Sequence, residues 1–262
     1  MDNYVQILGT RGSVPVSGQK YFKYGGATTS VLVKLAGRYL VLDAGSGICS
    51  LPEEALAINS LDIFLTHLHL DHLIGLPYCP FLFKKGNTLN IYAEANAEEA
   101  LRRLICPPFW PVTLDEFPAE VRFHRLEKRS VINQIGIEVI AGVHPGGVSV
   151  MKLSALEKTV VFATDCTLTK EFRCKLREFA AGCDLLLIDG QYSDGEWAGV
   201  STYGHSRWSS AAELGYTCRA KEVRIIHHDP DHTDELLHCA ELELGKKYLN
   251  CKFGREDEVI VL

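Results

Sequence analysis

The chain has 262 residues, of which 47% are hydrophobic, so it can bury a substantial core, and we expect one domain over residues 1–262. Its formal net charge of −6 argues against a protein that holds long nucleic acids by electrostatic attraction. The sequence has no apolar stretch of membrane-spanning length and no basic and apolar N-terminal signal, which argues against a membrane location.

Short runs of β-branched and aromatic residues predict strands in the first third of the chain. They end at Gly, Asp or a polar cluster and are "YVQIL" (4–8), "SVLVKL" (30–35), "RYLVLD" (38–43) and "LDIFLT" (61–66). The segment "AEEALRRLI" (97–105) has helical spacing, and the prolines of "CPPFWP" end it.

Strands and helices alternate in the rest of the chain. The predicted strands are "VRFHRL" (121–126), "GIEVIAG" (136–142), "VSVMKL" (148–153), "TVVFAT" (159–164), "DLLLID" (184–189) and "EVRII" (222–226). Helices are predicted to begin near Thr169, Ser206 and Thr233. Many strands first, with helices interleaved later, indicate two sheets covered by helices.

Polar residues follow five of these strands. The segments are "LDAG" (42–45), "THLHLDH" (66–72), "GVHPG" (142–146), "ATDC" (163–166) and "IHHDP" (226–230). Residues that project from strand ends can converge on one edge of a sheet sandwich. The pattern therefore predicts one assembled site rich in His and Asp.

The densest of these segments predicts two metal half-sites. His67 and His69 are two residues apart, so on extended chain they point the same way and can bind one ion. Asp71 and His72 follow where a helix can start, and they would face a second ion. Lone histidines such as His124 are usually surface or core residues, but four potential ligands in six positions are not explained by packing.

Later strand ends can complete both half-sites. His144 can join the first, and Asp165 offers a carboxylate that can bridge two ions about 3.5–4 Å apart, which share a hydroxide as nucleophile. His228 can complete the second, although the residues alone do not separate it from His227. Imidazole-rich ligation favours zinc for the two divalent ions, with manganese or iron left open.

These motifs together resemble the metallo-β-lactamase fold superfamily over nearly the whole chain. The resemblance implies an α+β fold, a four-layer αββα sandwich with two mixed sheets face to face and outer helices. It implies that one site consists of His67, His69 and His144, that the other consists of Asp71, His72 and His228, and that Asp165 bridges them. It also places Asp43 behind the ligands, where it steadies their loop, and it favours His228 over His227.

Four further stretches resemble the phosphodiesterase branch, which includes ribonuclease Z and cyclic-phosphate phosphodiesterases. They are "GTRGSVPVSG" (9–18), "YGGATTSVLV" (24–33), "CPPFWPV" (106–112) and "GHSRW" (204–208). The last is similar to the GHST motif of these enzymes, with Arg207 in place of the usual threonine. His205 is then expected to protonate the leaving alkoxide or to bind a phosphate oxygen; its structural alternative is a helix-entry histidine beside a Ser206 cap.

We therefore expect a dinuclear metal-dependent phosphodiesterase that hydrolyses a small or cyclic phosphodiester, with Asp71 and His205 as catalytic residues. A lactone or thioester hydrolase of the same fold is the first alternative, although such enzymes lack the GHST-like stretch. A tRNA 3′-processing endonuclease is the second, but it would carry a long arm that no insertion here supplies. Oxygen-reducing di-iron relatives would have glutamate at His69, and a non-catalytic binding module would not need the full ligand set.

Partner and location expectations are broader. Short nucleic acids stay open as substrates, Phe109 and Trp110 are candidates to stack on a base, and a homodimer is compatible with the resemblance. Nine scattered cysteines without a CxxC pair indicate free thiols in a reducing cytoplasm.

Overall fold

Two sheets of seven strands each form the centre of the computed structural model, which describes residues 3–262. The first sheet has the order β14-β1-β2-β3-β4-β5-β6 and the second the order β13-β12-β11-β10-β9-β8-β7. The first sheet consists of β1 (Tyr4–Gly9), β2 (Ser30–Leu35), β3 (Arg38–Leu42), β4 (Ser60–Phe64), β5 (Thr88–Ala93), β6 (Glu120–Arg125) and β14 (Val259–Val261). The second consists of β7 (Arg129–Ile132), β8 (Ile135–Ala141), β9 (Ser149–Ala155), β10 (Lys158–Ala163), β11 (Leu185–Asp189), β12 (Glu222–Ile226) and β13 (Cys251–Phe253).

Helices cover the outer faces of both sheets. They are α1 (Glu53–Leu56), α2 (Ala97–Leu104), α3 (Lys170–Phe179), α5 (Trp208–Thr217) and α6 (Asp234–Gly245). The short helix α4 (Trp197–Val200) buries none of its residues and belongs to neither outer core. Leu101 of α2 packs in the outer core of the first sheet, and Leu176 and Leu237 of α3 and α6 pack in that of the second. A third core, with Phe64 and Phe162 from opposite sheets, fills the space between them. This four-layer αββα sandwich confirms the predicted fold class.

Each sheet has a parallel half, and this half positions the candidate site. Strands β3 to β6 run parallel in the first sheet, and β10 to β13 run parallel in the second. Parallel strands bring their carboxyl ends to one edge of a sheet. The polar segments after β3, β4, β10, β11 and β12 therefore gather at that edge.

The predicted elements are recovered, with four strands missed. β5, β7, β13 and β14 were not predicted, and three of these are only three or four residues long. Thr169 caps α3 by accepting a hydrogen bond from the Phe172 N–H at 3.2 Å. Ser206 does not cap a helix, as the structural alternative for His205 would have it, because α5 begins at Trp208 and the Ser206 hydroxyl donates to the Cys166 carbonyl.

Over residues 3–262, none of the helices has both the length and the apolar character that crossing a bilayer requires.

Candidate metal centre

The first cluster joins side chains from three strand ends. Its members are His67, His69, His144 and Asp165, and their ligand atoms lie within 4.8 Å of one another. The Nε2 atoms of His67 and His144 each lie 3.7 Å from Asp165 Oδ2, and His144 Nε2 lies 3.1 Å from His69 Nδ1. His69 is exposed, so this cluster opens to solvent.

The second cluster lies deeper and uses the other oxygen of the same aspartate. Its members are Asp71, His72, Asp165 and His227, and all four are buried. The Nε2 atoms of His72 and His227 each lie 3.1 Å from Asp165 Oδ1. Asp71 Oδ2 lies 3.4 Å from His72 Nε2 and 3.2 Å from His227 Nε2. Asp165 thus presents one oxygen to each cluster, which is the arrangement of a bridging carboxylate.

The choice of His228 over His227 as a ligand is wrong. His228 Nε2 bonds the Gly254 carbonyl at 2.9 Å, and its ring packs against Tyr24 and Phe253 at centroid distances of 6.0 and 5.5 Å. Burial and the nearby charge of Arg11 lower the pKa of His228 to about 3, so it is a neutral core histidine. Six of the seven predicted ligands gather in the two clusters, and His227 takes the seventh place.

Left-handed backbone at three strand ends directs these side chains. Asp43, Asp165 and His227 have φ values of 59°, 50° and 64°. Each follows a strand closely, and the left-handed residue breaks the strand's alternation and turns its side chain toward the edge. Such a conformation costs on the order of 1 kcal/mol at a non-glycine residue, although Asp and His adopt it more readily than most.

Asp43 connects one histidine of each cluster. Its Oδ2 lies 2.8 Å from His72 Nδ1, so the ring N–H donates to the carboxylate. Its two oxygens also accept hydrogen bonds from the backbone N–H and the hydroxyl of Thr66, whose Oγ1 lies 3.0 Å from His67 Nδ1. Protons on the Nδ1 atoms leave both Nε2 lone pairs directed at the clusters, as expected of a carboxylate behind metal ligands.

Backbone and amide groups orient two further imidazoles in the same way. His144 Nδ1 donates to the Gly204 carbonyl at 2.9 Å, and His227 Nδ1 lies 3.2 Å from Gln191 Oε1. The Ser13 backbone N–H donates to Asp71 Oδ2 at 2.8 Å. Buried Arg11 donates to the carbonyls of Gly25, Asp229 and His232 and so braces the loop that carries Ser13.

Unpartnered nitrogens and the local charge show that the residues fit metal ions. The Nε2 atoms of His67 and His72 are buried and have no hydrogen-bond partner, a state that costs free energy unless another group binds there. Burial opposes the charge of Asp71, but the hydrogen bond to His227 and the neighbouring His72 imidazole hold its pKa below the usual range. Burial likewise opposes a charge on His227, yet Asp165, Asp71 and Asp189 raise its pKa to about 9, so the local field favours positive charge.

His205 lies beside both clusters and is paired with an aspartate that the sequence analysis missed. His205 Nδ1 lies 2.7 Å from Asp189 Oδ2, and the ring stacks on His227 at 4.8 Å and lies 5.1 Å from His144. Asp189 is fully buried, and its other oxygen accepts the Ser206 N–H at 2.8 Å. The signal was present, because "LLLID" ends in an aspartate as "YLVLD" does.

Arg207 and Trp110 contact other side chains of the protein, whereas Phe109 is exposed. Arg207 pairs with Asp194 at 3.0 Å and lies over the Trp197 ring at 5.4 Å. Trp110 packs edge-on against Tyr78 at 4.6 Å beside the outer core of the first sheet, whereas Phe109 is exposed.

Comparison with known proteins identifies the family. Residues 38–228 match the beta-lactamase superfamily domain. The solved metallo-β-lactamase fold protein YhfI from Bacillus subtilis superposes with a TM-score of 0.74 and 17% identity over 100% of both chains. The chain belongs to the metallo-β-lactamase superfamily. A diphosphatase from the PhnP family shares the fold as well, with a TM-score of 0.71 and 17% identity over 100% of this chain and 98% of its own.

Curated relatives place this superfamily member in the phosphodiesterase branch. A ribonuclease Z of Lachnoclostridium phytofermentans is 23% identical over 98% of this chain and 97% of its own length. Another, from Pyrococcus abyssi, is 30% identical, but the match covers only 48% of this chain and 42% of the relative. Together with the family match, they confirm the predicted branch and the class of metal-dependent hydrolase.

Replacing His227 and His228 by alanine, one at a time, tests the assignment of His227 as the ligand. His227→Ala should lower bound metal by about one ion per chain, because the second cluster loses one of its two imidazoles. His228→Ala should keep its metal but lower the free energy of unfolding by about 2 kcal/mol, because it leaves a buried carbonyl unpaired. Metal analysis by mass spectrometry and denaturant unfolding measure both effects, and metal loss in His228→Ala alone would reverse the assignment.

Asp43→Asn tests the connection between the clusters. The amide loses the charge that holds His72 and Thr66, so metal affinity should fall about 10- to 100-fold. Competition with a chromophoric chelator measures this change. Asp62→Asn is the matched control, because Asp62 is also nearly buried but bonds Asn90 and Asn133 away from the clusters; equal losses in both variants would remove the special role of Asp43.

Proposed function

We propose that residues 1–262 form one dinuclear metal-dependent phosphodiesterase domain that acts on a small or cyclic phosphodiester. The observation that carries this proposal is the division of Asp165 between two ligand clusters, with the His205–Asp189 pair at their side. Two cations next to a histidine that can donate a proton suit a substrate that is anionic and has a poor leaving group.

Two divalent ions would be held by the first cluster (His67, His69, His144) and the second (Asp71, His72, His227), with Asp165 between them. Bound there, they would neutralise phosphate oxygens and lower the pKa of a water that attacks phosphorus. Five imidazoles among the seven ligands favour zinc, with manganese or iron as alternatives. The nine cysteines are free thiols, which supports a reducing, cytoplasmic location.

His205 is the proposed general acid. Because Nδ1 bonds Asp189, Nε2 is the nitrogen left to face a substrate, and the buried carboxylate fixes the orientation of the ring. Asp71 is proposed to serve catalysis as well as binding. Its carboxylate stays anionic and can orient the attacking water by accepting a hydrogen bond from it.

Removal and return of metal test the metal requirement. Dialysis against a chelator should abolish hydrolysis of bis-p-nitrophenyl phosphate, and two equivalents of Zn²⁺, Mn²⁺ or Fe²⁺ should restore it. A panel of cyclic nucleotides, cyclic sugar phosphates and short RNA then ranks substrates by kcat/KM. Full activity in chelated protein that contains no metal would contradict the proposal.

The leaving group tests the role of His205. His205→Ala should lower kcat for an alkyl phosphodiester by about 10²- to 10⁴-fold, because the alkoxide needs a proton. The loss should be much smaller with bis-p-nitrophenyl phosphate, whose leaving group is a weak base. Equal losses with both substrates would instead indicate that His205 binds a phosphate oxygen, and unchanged rates with both would remove it from the mechanism.

A second candidate function is 3′ processing of tRNA, which the ribonuclease Z relatives favour. The structure supports small substrates instead: between residues 3 and 262, the longest connections between the α-helices and strands are 10–29 and 65–87. Both contain short 3-10 helices and pack against the body of the protein, through Tyr24 in the first and Leu76 and Phe81 in the second, and do not form a separate arm. Incubation with precursor tRNA separates the two functions. Specific 3′ trimming faster than turnover of every small phosphodiester would favour the endonuclease.

A further inference from the structure

Residues 193–204, called here the rim segment, lead directly into the candidate centre. The carbonyl of its last residue, Gly204, accepts the Nδ1–H of His144, and the next residue is His205. Gly204 has a φ of 97°, and a Cβ built on it would lie 2.4 Å from His144 Nδ1, so the backbone approach requires glycine. The position of the rim segment is therefore coupled to one metal ligand and to the proposed acid.

Side-chain contacts hold the rim segment against the body of the protein. Asp194 forms an ion pair with Arg207, and it also accepts a hydrogen bond from the Ser209 hydroxyl at 2.8 Å. Glu196 lies 2.8 Å from Nε2 of buried His232, and Trp197 lies under the Arg207 guanidinium. A surface segment fixed at three points can present a side chain to a ligand with little loss of conformational freedom on binding.

Tyr203 is the side chain that the rim segment presents next to His205. It is 58% exposed and contacts Tyr192 edge-on, with a centroid distance of 6.4 Å. Tyr192 is buried and lies 6.0 Å from the His205 ring. The exposed ring of Tyr203 is thus linked through one intervening ring, that of Tyr192, to His205, the proposed general acid.

Resting on the proposed function, we propose that Tyr203 is a stacking platform for an aromatic ring of the substrate, so that the preferred substrates are phosphodiesters of nucleosides or aryl alcohols. Base–aromatic stacking suits an exposed tyrosine, because every base offers an apolar face.

The charge around Tyr203 favours a neutral ring over a second phosphate at this place. The charged residues of the rim segment are both acidic, Asp194 and Glu196. The adjacent cation, Arg207, is already neutralised by Asp194 and lies over Trp197. Arg207, the cation that follows the rim segment, is therefore not free to pair with a second phosphate at Tyr203.

Binding of two monophosphates to the Zn²⁺-loaded protein tests this inference separately from turnover. Adenosine 5′-monophosphate and ribose 5-phosphate share the phosphate and the sugar, and only the first carries a base. Calorimetry should show that the native protein binds the adenosine compound about 5- to 100-fold more tightly, the range expected for one stacked base. Tyr203→Ala should remove this preference without changing the affinity for ribose 5-phosphate, and Tyr203→Phe should keep it.

Tyr216→Ala is the matched control, because Tyr216 is 62% exposed on α5 and its ring lies against Tyr248 instead. Equal affinity of the native protein for the two monophosphates would overturn the inference, as would an unchanged preference in Tyr203→Ala. Failure of the proposed function would look different, because the native protein would then leave all phosphodiesters intact whichever monophosphate it binds.

Discussion

Asp165 is a buried carboxylate surrounded by four imidazoles, and the arrangement of the centre depends on it. Its oxygens lie 3.1 to 3.7 Å from the Nε2 atoms of His67, His72, His144 and His227. A carboxylate that is almost fully buried is costly unless positive charge compensates it. Burial opposes its ionised form, yet His227 and His72 hold the pKa of Asp165 well below the usual range, so it remains an anion where two cations can share it.

The fold supplies this meeting point through the parallel halves of the two sheets. Asp165 follows β10 and His227 follows β12 in one sheet, while His67 follows β4 in the other. Asp43, after β3, then ties the clusters together through His72 and Thr66. Asp165 faces both clusters and Asp43 connects them from behind, so a change at either carboxylate is expected to affect both clusters.

The sequence predicted most of this arrangement, since ligand type and strand ends are visible in the letters. It failed where backbone conformation decides the direction of a side chain. Ile225 packs in the outer core and Ile226 in the core between the sheets, so strand alternation alone would group His228 with Ile226 and His227 with Ile225. The left-handed turn at His227 breaks that alternation. The alternation of buried and exposed residues along a strand does not predict this turn. The family resemblance also favoured His228, which is not the residue that joins the cluster.

Solvent reaches the centre asymmetrically, and this bears on how a substrate is oriented. His69 is exposed at the first cluster, whereas each member of the second is buried. His205 stacks on His227 of the buried cluster, lies next to His144 of the open one, and is followed along its aromatic contacts by Tyr192 and Tyr203. A phosphodiester entering from the open side would then meet the proposed acid with its leaving group toward the rim segment. The substituted GHST-like stretch fits this view, because Arg207 is used to hold that segment and not to bind an anion.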